Sequence, residues 1–192
     1  MKDAAKPGKA GLAARARRVR AVLMDVDGVL TDGTIHHFVD TRGALVEFKG
    51  VHSQDSIALS WLAQSGIRTG VISGRDSRGM EERLKLLKTS FIYQGRLDKE
   101  AVFDEIRRKA GLESSQILYM GDDLPDLPVM RRAGLAVAPR NARPEVREAA
   151  HWVTRSEGGN GAVREAAEFL LRAQGLWEGI LRRFVDRPGR LR

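Results

Sequence analysis

The sequence predicts an α/β fold in which helices cover a parallel sheet. Three observations carry this. Short apolar runs alternate with helical patterns along the chain. The runs are apolar on both faces, as strands buried inside a parallel sheet are. Each is bounded by turn or polar residues rather than by more apolar sequence. With 192 residues, 42% of them hydrophobic, the chain makes one domain of ordinary size, long enough to bury its own core.

The elements follow in order. Ala21-Val22-Leu23-Met24 is the first strand and ends in Asp25. Thr34–Val39 and Ala44–Phe48 flank Asp40-Thr41-Arg42-Gly43 and read as a β-hairpin with a four-residue turn, at 34–48, where a plain βαβ unit would place a helix. Trp61, at Ile57–Trp61 helical spacing, reads as a core residue. Arg68–Ile72 is the second core strand, ending in Ser73, and Met80, Leu84 and Leu87 share the face of the helix after it. Lys99 opens a helix whose Val102, Phe103, Ile106 and Ala110 face inward and which Gly111 stops. Gln116–Met120 is the third core strand and ends in Gly121-Asp122. Val129, Met130 and Ala133 repeat the helical pattern, and Leu135–Ala138 is the fourth, weaker strand. Pro144 fits the first turn of a helix, and a last long pattern runs from Ala162 to Ala173 and ends at Gly175. There is no internal repeat and no linker, so residues 1–192 read as a single domain. Trp152 and Trp177 default to core burial, with an interface as the other reading.

Composition excludes several classes. Without cysteine there is no disulfide scaffold, cysteine zinc finger or thiol nucleophile. No stretch approaches the roughly 18 apolar residues of a membrane span, and the basic N-terminus lacks a signal-peptide core. The chain therefore reads as soluble and cytoplasmic. Its net charge of +8 is concentrated at the ends: residues 1–20 carry +6, residues 181–192 carry +4 and the rest −2. A nucleic-acid groove needs basic residues on the folded body, so nucleic acid is not an expected partner. Residues 1–11 and 182–192 read as flexible, solvated basic ends, or as a site for an anionic partner.

In an open α/β sheet, ligands lie beyond the carboxyl ends of the strands. Asp25 and Asp27, Ser73, and Asp122 and Asp123 are far apart in sequence yet should converge there, with Asp126 close by. Carboxylates gathered so closely call for a cation, and oxygen-only ligands without cysteine favour Mg²⁺ over zinc. Such an ion lets an anionic carboxylate approach an anionic phosphate. Ser73 and Gly74 offer a hydroxyl and amides to phosphate oxygens, and Lys99 a mobile positive charge. Asp25 can then serve as nucleophile, forming an aspartyl-phosphate, with Asp27 as the acid and base. Taken singly, each of these has a plainer explanation: an Asp-Gly turn, a helix cap at Ser73, a solvated Lys99. Their joint placement at strand ends does not.

This order of residues resembles the haloacid dehalogenase superfamily of phosphotransferases. Asp25-Val26-Asp27-Gly28-Val29, Val71-Ile72-Ser73, Lys99 and Gly121-Asp122-Asp123-Leu124-Pro125-Asp126 match its four motifs in turn. The resemblance implies a Rossmann-like parallel sheet with helices on both faces and a minimal cap. It also implies Mg²⁺ held by Asp25, the main-chain carbonyl of Asp27, and Asp122, with Asp123 and Asp126 supporting. Extended by Leu30-Thr31-Asp32-Gly33, Ser73-Gly74-Arg75, Tyr93-Gln94-Gly95 and Gly158-Gly159-Asn160-Gly161-Ala162-Val163-Arg164-Glu165, the pattern is similar to the 3-deoxy-D-manno-octulosonate (KDO) 8-phosphate phosphatase family over roughly residues 12 to 175. That family implies a hydrolase of lipopolysaccharide precursor synthesis, acting as a homotetramer whose hairpins associate and whose neighbouring subunits complete each site. It implies substrate contacts from Ser73, Gly74, Arg75, Lys99, Gly158, Gly159 and Arg164. Two of these stay open: Arg75 meets either the sugar acid's carboxylate or a surface acid, and Gly158–Gly161 is a flexible loop or an anion-binding closure, the second favoured by Arg164 beside it.

One segment departs from the family. Where an Arg-Asp-Gly signature is usual, this chain has His52-Ser53-Gln54. The alternatives are therefore a phosphatase for a nonulosonate 9-phosphate or another sugar phosphate, and a non-catalytic tetrameric scaffold. His36 and His37 on the hairpin read as solvent or interface residues.

Overall fold

The structure, a computed structural model, describes residues 6–185. Six parallel strands form one sheet, in the order β5 (Phe91–Tyr93), β4 (Arg68–Ile72), β1 (Ala21–Met24), β6 (Ile117–Met120), β7 (Leu135–Ala138), β8 (Trp152–Val153). β2 (His36–Val39) and β3 (Leu45–Phe48) form a separate antiparallel hairpin. Strand alternation splits the core in two. Val22, Met24, Leu118, Met120, Leu135 and Val137 point to one face; their neighbours Ala21, Leu23, Ile117, Tyr119, Ala136 and Ala138 point to the other.

Helices α1 (Lys9–Arg18), α2 (Ser53–Gln64), α3 (Arg78–Leu86), α7 (Ala162–Ala173) and α8 (Trp177–Val185) supply the first face, and α4 (Lys99–Ala110), α5 (Leu127–Arg132) and α6 (Pro144–Ala149) the second. Gly111, with φ +62°, stops α4, and Pro144 opens α6, both as expected. The hairpin turns on Asp40, whose Oδ1 accepts the N–H groups of Arg42 (2.8 Å) and Ala44 (2.9 Å). Its strands are shorter than anticipated, leaving Thr34, Ile35 and Ala44 outside them.

Of the two basic ends, residues 9–11 begin α1 and residues 182–185 end α8, while residues 1–5 and 186–192 lie outside the described residues. α1 forms because Ala, Leu, Lys and Arg are strong helix formers, and the Gln174 amide donates to the carbonyls of Ala16 and Val19 at its C-terminus. Ile57 is exposed, while Trp61 is buried against Trp177. The two edge strands β5 and β8, of three and two residues, had no apolar run long enough to mark them. Trp177 is buried and Trp152 half-buried against Phe169. Among the described residues no helix is long and apolar enough to cross a membrane.

Candidate active site

At the carboxyl edge of the sheet, β1, β4 and β6 deliver their terminal residues into one cavity of about 220 Å³, lined by Asp25, Asp27, Ser73, Arg75, Lys99 and Asp122 among others. The Asp25 N–H donates to the Met120 carbonyl (2.9 Å), so the sheet's own hydrogen bonding fixes where its side chain starts. Its Oδ1 accepts the Val26 N–H (2.6 Å) and its Oδ2 meets Lys99 Nζ at 2.7 Å. The chain then turns back sharply at Gly28, φ +87°, where a β-carbon would collide with the Asp122 carboxylate. Glycine at 28 is what lets two motifs about a hundred residues apart touch.

Asp126 organises this edge. It is fully buried and all its acceptor capacity is used. Oδ1 accepts Lys99 Nζ and the Tyr119 hydroxyl, both at 2.7 Å; Oδ2 accepts the N–H groups of Asp122 (3.0 Å) and Asp123 (3.2 Å). Asp123 caps the short 3₁₀ turn Leu124–Asp126. Lys99, at the first turn of α4, is only 4% exposed and bridges Asp25 and Asp126. It is thus a member of the site and not a solvated helix residue. Burial works against its charge, but the two carboxylates together hold its pKa above the ordinary lysine value. Burial, then Asp126, pushes Tyr119 well above its normal range, so it remains a donor.

Asp122 is the contrasting group. Its Oδ1 is buried and has no hydrogen-bond partner. Burial, reinforced by the charges of Asp25 and Asp126, raises its pKa to about 8. Burial and Asp126 also raise Asp25, to about 6, against the pull of Lys99. Asp25, Asp122 and Asp126 each present an oxygen within 4.8 Å of the others. An orphaned buried oxygen among like charges fits a hard divalent cation with oxygen ligands. Four donors fill Asp126, whereas Asp25 takes two and Asp122 Oδ1 none, so Asp25 and Asp122 keep lone pairs for a ligand and Asp126 stands behind them.

Ser73 is buried at the end of β4, where its Oγ accepts the Arg75 N–H (3.2 Å) beside Gly74. Arg75 is half-exposed and pairs with Glu47 (3.0 Å) and, more loosely, Asp27 (3.8 Å). It therefore pairs with acids of the chain itself, and of these Asp27 lines the cavity with it.

The Gly-rich segment is not brought to the cavity wall. The N–H groups of Gly158, Gly159 and Gly161 are taken by Asn141 Oδ1 (2.9 Å), the Val29 carbonyl (2.9 Å) and Asp55 Oδ2 (3.0 Å). A β-carbon at Gly158 would strike the Gly28 carbonyl, and one at Gly159 the backbone at Thr31 and Asp32. The segment underpins the loop after β1, and its amides are not free for an anion. Arg164 also departs from expectation. Its guanidinium lies 4.0 Å over the Trp61 ring and pairs with Glu168, because α7 packs on α2 here. His36 stacks on Phe48 and His37 approaches Glu47 at 3.7 Å, both on the hairpin.

Sequence reasoning missed four contributors: Tyr119, Glu47, Lys49 and Asp55. Lys49 Nζ contacts Asp27 at 2.8 Å (Oδ1) and 3.0 Å (Oδ2). Fully buried Asp55 accepts the N–H groups of Gly161 and Arg164 at the start of α7. The departing segment His52-Ser53-Gln54 opens α2 immediately before it.

This fold and this edge of carboxylates define a haloacid dehalogenase-like hydrolase, and residues 88–165 match the family model of that description. The chain is 38% identical to the 3-deoxy-D-manno-octulosonate 8-phosphate phosphatase of Yersinia pestis over 165 residues, 86% of each chain. It is 37% identical to that of Escherichia coli K12 over 169 residues, 88% of each. The crystal structure of the Moraxella catarrhalis enzyme, in complex with magnesium ion, phosphate ion and KDO, superposes with a TM-score of 0.86 at 37% identity, covering 92% of this chain and 99% of that one. The chain belongs to the 3-deoxy-D-manno-octulosonate 8-phosphate phosphatase family.

Proposed function

We propose that the chain is a Mg²⁺-dependent phosphomonoesterase that hydrolyses 3-deoxy-D-manno-octulosonate 8-phosphate to KDO and phosphate. The observation that carries this reading is the pairing of Asp25 with an unpartnered Asp122 oxygen, in one cavity with Lys99 and Ser73. Asp25 attacks phosphorus and the bond to the sugar oxygen breaks. Asp27 gives that oxygen its proton, releasing the alcohol and leaving an aspartyl-phosphate. Asp27 then takes a proton from the attacking water, which frees phosphate and restores both carboxyls. Lys99 and the Ser73–Gly74 turn balance and orient the phosphoryl oxygens. Asp25, the Asp27 carbonyl and Asp122 would hold Mg²⁺, which supplies charge neutralisation for an anion attacking an anion. Likeness to 3-deoxy-D-manno-octulosonate 8-phosphate phosphatases at 37–38% identity supports the eight-carbon substrate.

The assembly reading rests on the hairpin. A lone two-stranded sheet is marginal in water, and this one exposes Phe38, Val39, Leu45 and Phe48. Four such hairpins associating in a homotetramer would bury that surface and close the open cavity against water. The hairpin at 34–48 is accordingly an insertion in a single domain. A cytoplasmic location fits a substrate whose charge keeps it from crossing a membrane unaided.

The test is phosphate release from a panel of sugar phosphates with and without Mg²⁺. Release from the eight-carbon acid phosphate, lost without metal, is expected. Turnover of only a nine-carbon acid phosphate would move the substrate, and no metal-dependent turnover at all would favour a scaffold.

A further inference from the structure

The hairpin holds more than apolar surface. Lys49, the residue immediately after β3, is 3% exposed in its side chain and points into the catalytic edge. A buried ammonium must be paired, and its nearest acid is Asp27. Its second is Glu47 Oε1, at 3.4 Å. Glu47 is in turn held by Arg75, which reaches back toward Asp27. Asp27, Lys49, Glu47 and Arg75 thus form a closed ring of alternating charge. The ring joins three segments: the loop after β1, the end of the hairpin and the turn after β4.

Asp25 is fixed by a backbone N–H and by Lys99, and Asp126 by four donors. Among the described residues, no backbone N–H or hydroxyl bonds the Asp27 carboxylate. Its donor at hydrogen-bonding distance is Lys49. We propose that Lys49 is a positioning residue for Asp27: the hairpin, through this lysine, sets where the acid–base carboxyl stands against the leaving oxygen.

The reaction makes that placement matter. The same carboxyl must put its proton on the departing sugar oxygen and later remove one from water at nearly the same point. A misplacement of about 1 Å in such a group can cost on the order of 100-fold in rate. The inference rests on the acid–base role of Asp27 in the proposed function.

The experiment separates positioning from binding and from folding. Wild type, Lys49→Met and Lys49→Arg are compared with Mg²⁺ present, in single-turnover release of the leaving group, which reads the first half-reaction alone. Two substrates are used: an alkyl sugar phosphate that wild type turns over, and 4-nitrophenyl phosphate, whose phenolate departs without a proton. Lys49→Met is expected to slow sugar release roughly 10- to 100-fold, with little change in half-saturating concentration and a much smaller loss on the aryl ester. Lys49→Arg is expected to recover part of the rate, since its guanidinium can still hold the carboxylate. Equal losses on both substrates, a change confined to half-saturation, or no change at all would each overturn the proposal. Thermal melting of each variant identifies misfolding, and if Lys49→Met misfolds, failure of folded Lys49→Arg to differ between the two substrates overturns it equally. If wild type hydrolyses other alkyl phosphates but not the eight-carbon acid phosphate, the substrate reading fails while this test still runs.

Discussion

The two walls of the active-site cavity are built on different principles. The sheet wall is made by strand ends: the carboxylates of Asp25 and Asp126 are held by backbone amides, a buried lysine and a buried tyrosine, and Asp126 in turn holds the Asp122 main chain. The other wall is Arg75, with Glu47 and Lys49 of the hairpin behind it, long side chains that fix one another by charge. The first is rigid because main chain defines it. The second is as well placed as the hairpin that carries it. The comparison teaches that the nucleophile and metal side belong to the core, whereas the leaving-group side depends on an appendage that cannot stand alone.

The largest expected effect falls on the sheet wall. Asp25→Asn removes the nucleophile while keeping its shape, and phosphate release should drop by about 10⁴-fold or more. The fold should survive, because one of several crowded charges has been deleted; equal or higher melting temperature in the metal-free variant checks this. Residual activity within about tenfold of wild type would remove Asp25 from its role.

Asp126 and Asp122 sharpen the contrast within that wall. Asp126→Ala strips Lys99, the Tyr119 hydroxyl and two amides of a shared partner. Breaking a buried ion pair costs about 3–5 kcal/mol, which corresponds to a melting temperature lower by roughly 10 °C in a domain of this size. Asp122→Asn should leave the metal-free melting temperature level or raise it, and abolish the stabilisation that Mg²⁺ gives. If both variants melt alike, the distinction between organiser and ligand fails.

The raised pKa values give the same contrast a pH dependence. Asp25, at about 6, and Asp122, at about 8, hold protons in the folded metal-free protein that the unfolded chain releases near 3.8. Between those limits the folded state binds more protons than the unfolded one, so stability falls as pH rises, through about 6 for Asp25 and about 8 for Asp122. Mg²⁺ competes with those protons, so its stabilisation should grow from pH 6 to pH 9. Melting curves across this range, with chelator and with Mg²⁺, test it. Asp122→Asn should flatten the chelator curve above pH 6, and a chelator curve that rises with pH would contradict the electrostatics of the site.

How much of this was legible follows from the same division. Asp25, Ser73 and Asp122 follow apolar runs, so strand ends could be read and their convergence inferred. Lys99 required the motif order, because nothing local distinguishes it from a solvated lysine. Lys49 and Asp55 left no signal, since their partners lie 22 and over 100 residues away and are chosen by packing. The Gly-rich segment misled for a related reason. Its glycines suggested free amides, but Asn141, Val29 and Asp55 occupy them, and Gly158 exists for close approach to Gly28.

The smallest effect on the folded chain is expected at the hairpin's outer face. Cross-strand register puts His36, Phe38, Val46 and Phe48 on one face and His37, Val39, Leu45 and Glu47 on the other. The second face carries Glu47, held by Lys49 and Arg75, and the first carries the aromatic pair. Phe38 is 51% exposed and Phe48 53%, and they pack on each other at 6.2 Å between ring centroids. Phe38→Asp removes little burial within the chain, and its melting temperature as a monomer should stay within a degree or two. In an assembly it would place a charge in an apolar contact, and light scattering should report smaller particles. Because Lys49 ends the same hairpin, dissociation should also lower the rate on alkyl phosphates more than on aryl ones. Dissociation with that ratio unchanged would mean that Lys49 holds its place without the neighbours, and the two walls are then independent.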